Sequence, residues 1–132
     1  MTKAYFATAI NCIDGRVQTP VLDWMKKFCG VDYVDLITEP GPDQVLSEGP
    51  AEKVQAIREK VMISVRVHSS EVIAVAGHDD CAANPGPKEQ HLHQIQKSVE
   101  VVSGWWMPAR VLGLWVNEQW QVEIVADTRP SG

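Results

Sequence analysis

The chain has 132 residues, 45% of them hydrophobic, and a formal net charge of -5. That suits one domain with a real core, residues 1–132, and argues against nucleic acid or an acidic membrane surface as partner. No apolar run approaches the roughly 20 residues needed to span a bilayer. The three cysteines are an odd number, and the N-terminus MTKAYFATAINCIDGR lacks the h-region and cleavage site of a signal peptide. Both features predict thiols or metal ligands in a cytoplasmic protein rather than a disulfide framework.

In chain order, Ala4 to Ile10 predicts a central strand, apolar throughout, which Cys12-Ile13-Asp14-Gly15-Arg16 leaves. Thr19-Pro20 gives an N-cap followed by Pro at the first helical position, and the helix Val21 to Cys29 stops at Gly30. Tyr33 to Ile37 is a second strand, and Thr38 to Asp43 is a loop stiffened by two prolines. Ser47-Glu48-Gly49-Pro50 opens a helix over Ala51 to His68, whose stripe is Val54, Ile57, Val61 and Val65. Val72 to Ala76, five apolar residues in a row, reads as a strand buried on both faces.

Asn84-Pro85-Gly86-Pro87 breaks the chain before a helix over Lys88 to Ser103, with a stripe of Leu92, Ile95, Val99 and Val102. Val111 to Val116 and Trp120 to Val125 are two strands, joined by a hairpin at Asn117-Glu118-Gln119. The alternation of strands and helices predicts an α/β fold. Its mainly parallel four-stranded sheet has the order 2-1-3-4, with an antiparallel edge strand added and helices on both faces.

In such a fold the site lies beyond the carboxyl ends of the strands. The first strand delivers Cys12, with Asp14 and Arg16 just after it, and the third delivers His78 and Cys81 in H-x-x-C spacing. If the two strands are neighbours, two thiols and an imidazole converge. That is a ligand set for catalytic zinc, which lowers the pKa of bound water towards neutrality. Asp14 would take the metal's open position or accept a proton, and Arg16 would hold it ionised through a bidentate pair. The plain alternatives are a small buried cysteine at a strand end and an ordinary surface ion pair.

Cys12-Ile13-Asp14-Gly15-Arg16-Val17, together with Gly77-His78-Asp79-Asp80-Cys81, resembles the signature of the β-class carbonic anhydrases. That signature is C-x-D-x-R-V after the first strand and G-H-x-x-C after the third. The resemblance implies Zn2+ at Cys12, His78 and Cys81 and an Asp14–Arg16 dyad. It implies reversible hydration of carbon dioxide to bicarbonate by zinc-activated water, in a homodimer or higher homo-oligomer. In some members the aspartate swings onto zinc at lower pH, a role that would fall to Asp14.

The chain departs from the pattern in three places. The R-N-A-G-like segment after the second strand reads Ile37-Thr38-Glu39-Pro40-Gly41-Pro42 and keeps only its glycine. Cys81 is followed by Ala82. The long N-terminal helices of most members are missing from this sequence. Alternative readings are a zinc hydrolase of carbonyl sulfide or carbon disulfide and a non-catalytic zinc-binding module.

Other candidates have blander expectations. Cys29 reads as a core or partly exposed thiol, and His68 as a helix-terminal cation. His91 and His93 read as surface positions on different faces of one helix, and Asp79 and Asp80 as second-tier acceptors or solvated loop. Trp105, Trp106, Trp115 and Trp120 are divided between core and an interface.

Overall fold

The computed structural model describes residues 3–129. Its strands are β1 (Phe6–Asn11), β2 (Tyr33–Thr38), β3 (Val72–His78), β4 (Arg110–Val116) and β5 (Val122–Asp127). Its helices are α1 (Gln18–Cys29), α2 (Pro42–Glu48), α3 (Ala51–His68) and α4 (Lys88–Ser103), with a single 3-10 turn at Gly15–Val17. The strands form one sheet in the order β2-β1-β3-β4-β5. All neighbours run parallel except β4 and β5, which pair antiparallel. This is the expected α/β arrangement.

Side chains alternate across the sheet and sort into two apolar layers. On one face Ala7, Ala9, Ala74 and Ala76 lie with Leu112, Leu114 and Val116 under Val17, Val21 and Met25. On the other, Ile10, Ile73, Val75 and Val111 meet Val45 and Leu46 of α2, Ile57, Val61 and Val65 of α3, and Val99 and Val102 of α4. One helix therefore covers the alanine-rich face and three cover the face of branched residues.

Four local readings of the sequence are corrected. The first helix starts at Gln18, and its N-terminus receives no side-chain cap, so Thr19 is not the cap. The preceding 3-10 turn is capped instead by Asp14, whose Oδ1 accepts the Arg16 N–H at 2.9 Å. The supposed loop at Thr38 to Asp43 contains the start of α2. Gly41 is left-handed at φ 57°, and Pro42 is the first helical residue rather than a stiffener of loop. Ser47-Glu48-Gly49 then closes α2 instead of opening the next helix, while Ala51–His68 forms as read. Finally, β5 begins at Val122. Trp120 is left-handed at φ 61°, and Asn117 Oδ1 accepts the N–H groups of Gln119 and Gln121, which extends the turn.

Candidate metal centre

Parallel pairing of β1 with β3 sets Ile10 beside Val75, so the two chain ends that follow emerge side by side. Cys12 leaves β1 there. Its backbone is fixed by Asn11 Oδ1, which accepts the Cys12 N–H at 3.0 Å, and by Gln18 Nε2, which donates to the Cys12 carbonyl at 2.6 Å. β3 runs two residues further than the apolar run suggests and ends on His78, paired with Val116 of β4. Asp80 is left-handed at φ 55°, a conformation that Asp tolerates better than most residues, and it turns the chain so that Cys81 returns toward His78.

Cys12, His78 and Cys81 are all buried, and their donor atoms lie within 4.8 Å of one another. Among the described residues they are the group of three or more such side chains placed to hold an ion. A test of fit comes from the imidazole. Its Nδ1 lies 2.7 Å from the Asp79 carbonyl, which only accepts, so Nδ1 carries the proton. Nε2 is buried and has no hydrogen-bond partner. An imidazole whose buried Nε2 has no partner, beside two buried sulfurs, fits the donor set of a zinc site.

The two sulfurs act on each other in opposite directions. The Cys81 thiol, hydrogen-bonded to Cys12, draws the Cys12 pKa down against burial to about 4, helped by His78 and by the amides of Asp14 and Gly41. The Cys12 thiolate in turn pushes Cys81 up, as does burial, against the amides of Asn84 and Ala83. Burial pulls His78 down, but the neighbouring Cys12 sulfur and the Asp79 carbonyl outweigh it and the net shift is upward.

Asp14 and Arg16 stand beside this cluster and pair with each other. Arg16 Nη2 meets Asp14 Oδ2 at 2.6 Å and Nε reaches Oδ1 at 3.1 Å, a two-pronged contact. The same guanidinium reaches the Asp80 carboxylate at 3.2 Å and lies 5.1 Å from the centre of the Trp120 ring. Arg16 is the main cause holding the Asp14 pKa down at about 2. Asp14 and Arg16 are thus ordered on the edge of the cluster, with Asp14 committed to the arginine.

The sequence reading missed a buried polar layer behind the end of β3. His91, expected on the surface, is 1% exposed, and its Nδ1 lies 2.6 Å from Asp43 Oδ2, which is equally buried. Asn84 Nδ2 donates to Asp43 Oδ1 at 3.0 Å and to Gln94 Oε1 at 2.7 Å. The available signal was spacing: residues 91, 95, 98 and 102 share one helical phase, so His91 belongs to the inward stripe. His93 is exposed, as expected. Cys29 is half-buried, and His68 pairs with Asp35 at 2.6 Å. Trp115 is buried in β4 and Trp106 is 91% exposed.

Residues 2–126 match the model of the family described as "Putative carbonic anhydrase". The chain belongs to that family. Its carbonic-anhydrase-like fold is also similar to solved β-carbonic anhydrases at low sequence identity. One, from the filamentous ascomycete Sordaria macrospora and described as tetrameric, is 11% identical with a TM-score of 0.58, over 97% of this chain and 84% of that one. The β-carbonic anhydrase CcaA is 10% identical with a TM-score of 0.56, over 100% and 80%. No curated protein sequence matches the chain.

Proposed function

We propose that the protein is a zinc-dependent carbonic anhydrase, catalysing the reversible hydration of carbon dioxide to bicarbonate and a proton. The metal would be held by Cys12, His78 and Cys81. The observation that carries the reading is the unpartnered, buried Nε2 of His78 beside two buried sulfurs. Bound zinc would supply the Lewis acidity that makes water a nucleophile near neutral pH.

The chain's own residues do the rest. Asp79 holds the imidazole in the tautomer that leaves Nε2 free. Arg16 holds the Asp14 carboxylate in place, and Asp80 and Trp120 steady Arg16. Asp14 would accept a hydrogen bond from the reacting water and orient it toward carbon dioxide.

The three free cysteines support a reducing compartment such as the cytoplasm. The exposed apolar side chains of Ile63, Val67 and Trp106 and the tetrameric relative support a homo-oligomer. No helix among the described residues is long and apolar enough to cross a membrane.

The test is stopped-flow carbon dioxide hydration on protein of known zinc content, from neutral to alkaline pH, with Asp14→Asn alongside. Hydration by the wild type that falls steeply in Asp14→Asn, with zinc retained, is the expected result. No hydration at full zinc occupancy would sink the reading and turn attention to carbonyl sulfide or to a non-catalytic zinc module.

A further inference from the structure

Four polar side chains packed behind the end of β3 have no place in the reaction just described. Asp43 and His91 are each 1% exposed, and Asn84 and Gln94 are buried with them. Burying such groups costs free energy unless every one is satisfied, and a similar-sized apolar set is often as stable or more so. Here the satisfaction is incomplete. His91 Nε2 and Asn84 Oδ1 have no hydrogen-bond partner. Stability alone does not account for the cluster, so its connections matter.

Those connections run to the segments that carry His78 and Cys81. Asp43 lies two residues after Gly41, at the start of α2. Gly41 is pressed against the far loop, since a Cβ there would lie 3.0 Å from Asn84 Cβ. Asn84, three residues after Cys81, is held by its side chain to Asp43 and Gln94. Asp43 Oδ2 lies 2.6 Å from the Cβ position of Gly77, the residue before His78. The peptide of Asp43 is itself anchored, its carbonyl accepting the hydroxyls of Ser47 at 2.7 Å and Ser98 at 3.0 Å. Gln94 is tied outward to Glu48 at 3.1 Å.

We infer that Asp43, His91, Asn84 and Gln94 are positioning residues for the metal centre: together they fix the loop that follows Cys81 and the end of β3 that carries His78. Asp43 is the hub, bridging the segment after β2 to the loop after β3. His91, braced against the Trp115 ring at 5.4 Å between centroids, fixes the Asp43 carboxylate from below. Groups packed behind the ligands in this way set their direction, as outer partners do at metal sites generally. The inference rests on the metal reading proposed above.

The experiment uses the zinc-loaded full chain and measures zinc retention against a chelator, with the absorption spectrum of the cobalt-loaded chain as a second readout. Asn84→Ala and His91→Ala should each hold zinc about 10- to 100-fold more weakly and shift the cobalt bands. His91→Asn keeps a donor near the Nδ1 position and should restore most of the affinity. Thr8→Val is the matched control. It removes a buried hydroxyl bonded to Ser64 and Ser70, four residues before Cys12 on β1, and should lower the melting temperature without moving the cobalt bands.

If Asn84→Ala fails to fold, Gln94→Ala, which removes an acceptor of the Asn84 amide and an outer bond to Glu48, carries the same test. Folded variants with wild-type zinc retention and unchanged cobalt bands would overturn the inference. So would a Thr8→Val chain whose bands shift as far as those of Asn84→Ala. A wild-type chain that surrenders its zinc at once would instead remove the metal reading itself, which separates the two failures.

Discussion

The carboxylate of Asp43 fills the space that a Cβ on Gly77 would need, its Oδ2 lying 2.6 Å from that position. The carboxylate cannot swing clear, because His91 and Asn84 hold its two oxygens. The glycine of G-H-x-x-C is therefore a matter of close approach between strand and buried carboxylate, and this makes it a sensitive site.

Gly77→Ala should destabilise the fold by about 1–3 kcal/mol, the usual range for overpacking, as read by urea denaturation. Ile95 Cδ1 also crowds the position at 2.9 Å. Adding Ile95→Val should recover part of the loss, since it removes that methyl and leaves the Asp43 contact. Full recovery would show that Asp43 is not the obstacle.

Replacing a donor should act on metal before it acts on fold. Cys12→Ser, Cys81→Ser and His78→Gln should each weaken zinc binding by more than about 100-fold, beyond what outer partners cause, as read by metal analysis after dialysis. Full zinc in any one of them would remove that residue from the ligand set.

Zinc removal should lower stability through linkage. With free zinc at 100 times Kd, binding to the folded state alone stabilises by about 2.7 kcal/mol. That corresponds to a fall of roughly 10 °C in Tm when a chelator strips the metal. A melting curve indifferent to zinc would mean that the cluster binds it weakly or not at all. Because thiols must lose protons to bind metal, the gap between the zinc-loaded and stripped curves should narrow as pH falls.

A second pH effect belongs to the opposite end of the sheet. Arg110 holds Asp127 by two contacts, at 2.9 and 2.6 Å, and these contacts are the main cause pulling the Asp127 carboxyl below its ordinary range. A carboxyl lowered on folding adds stability at pH values above its unfolded pKa, about 3.9. That contribution is lost as pH falls through the folded value. Asp127→Asn should therefore cost about 0.5–1 kcal/mol near neutral pH and nothing in strong acid. A constant difference across the range would mean that the ion pair is not its source.

The sheet was legible because its signals are local. Unbroken apolar runs such as Val72 to Ala76 mark central strands, and the two motifs sit where those strands stop. What the sequence concealed depends on distant pairing. Pro42 looks the same in a loop as at the first position of a helix, and only the left-handed Gly41 before it decides. His91 looks like a surface histidine until α4 is rotated so that it meets Asp43, 48 residues earlier. The candidate cysteine and histidine donors were named from their motifs; the buried carboxylate and histidine packed behind them, Asp43 and His91, come from segments with no motif.

The two faces of the sheet differ in what they would tolerate. The floor beneath α1 is laid in alanine at positions 7, 9, 74 and 76, so the helix rides low and there is little slack in which to fit a larger side chain. The other face is built from valine and isoleucine, which can exchange methyl groups with their neighbours and keep total volume constant. Sequence drift in this fold should therefore be lopsided. The three-helix side is free to wander among branched residues, while the alanine side stays small, because α1 carries at its leading end the short turn that Asp14 caps and Arg16 occupies.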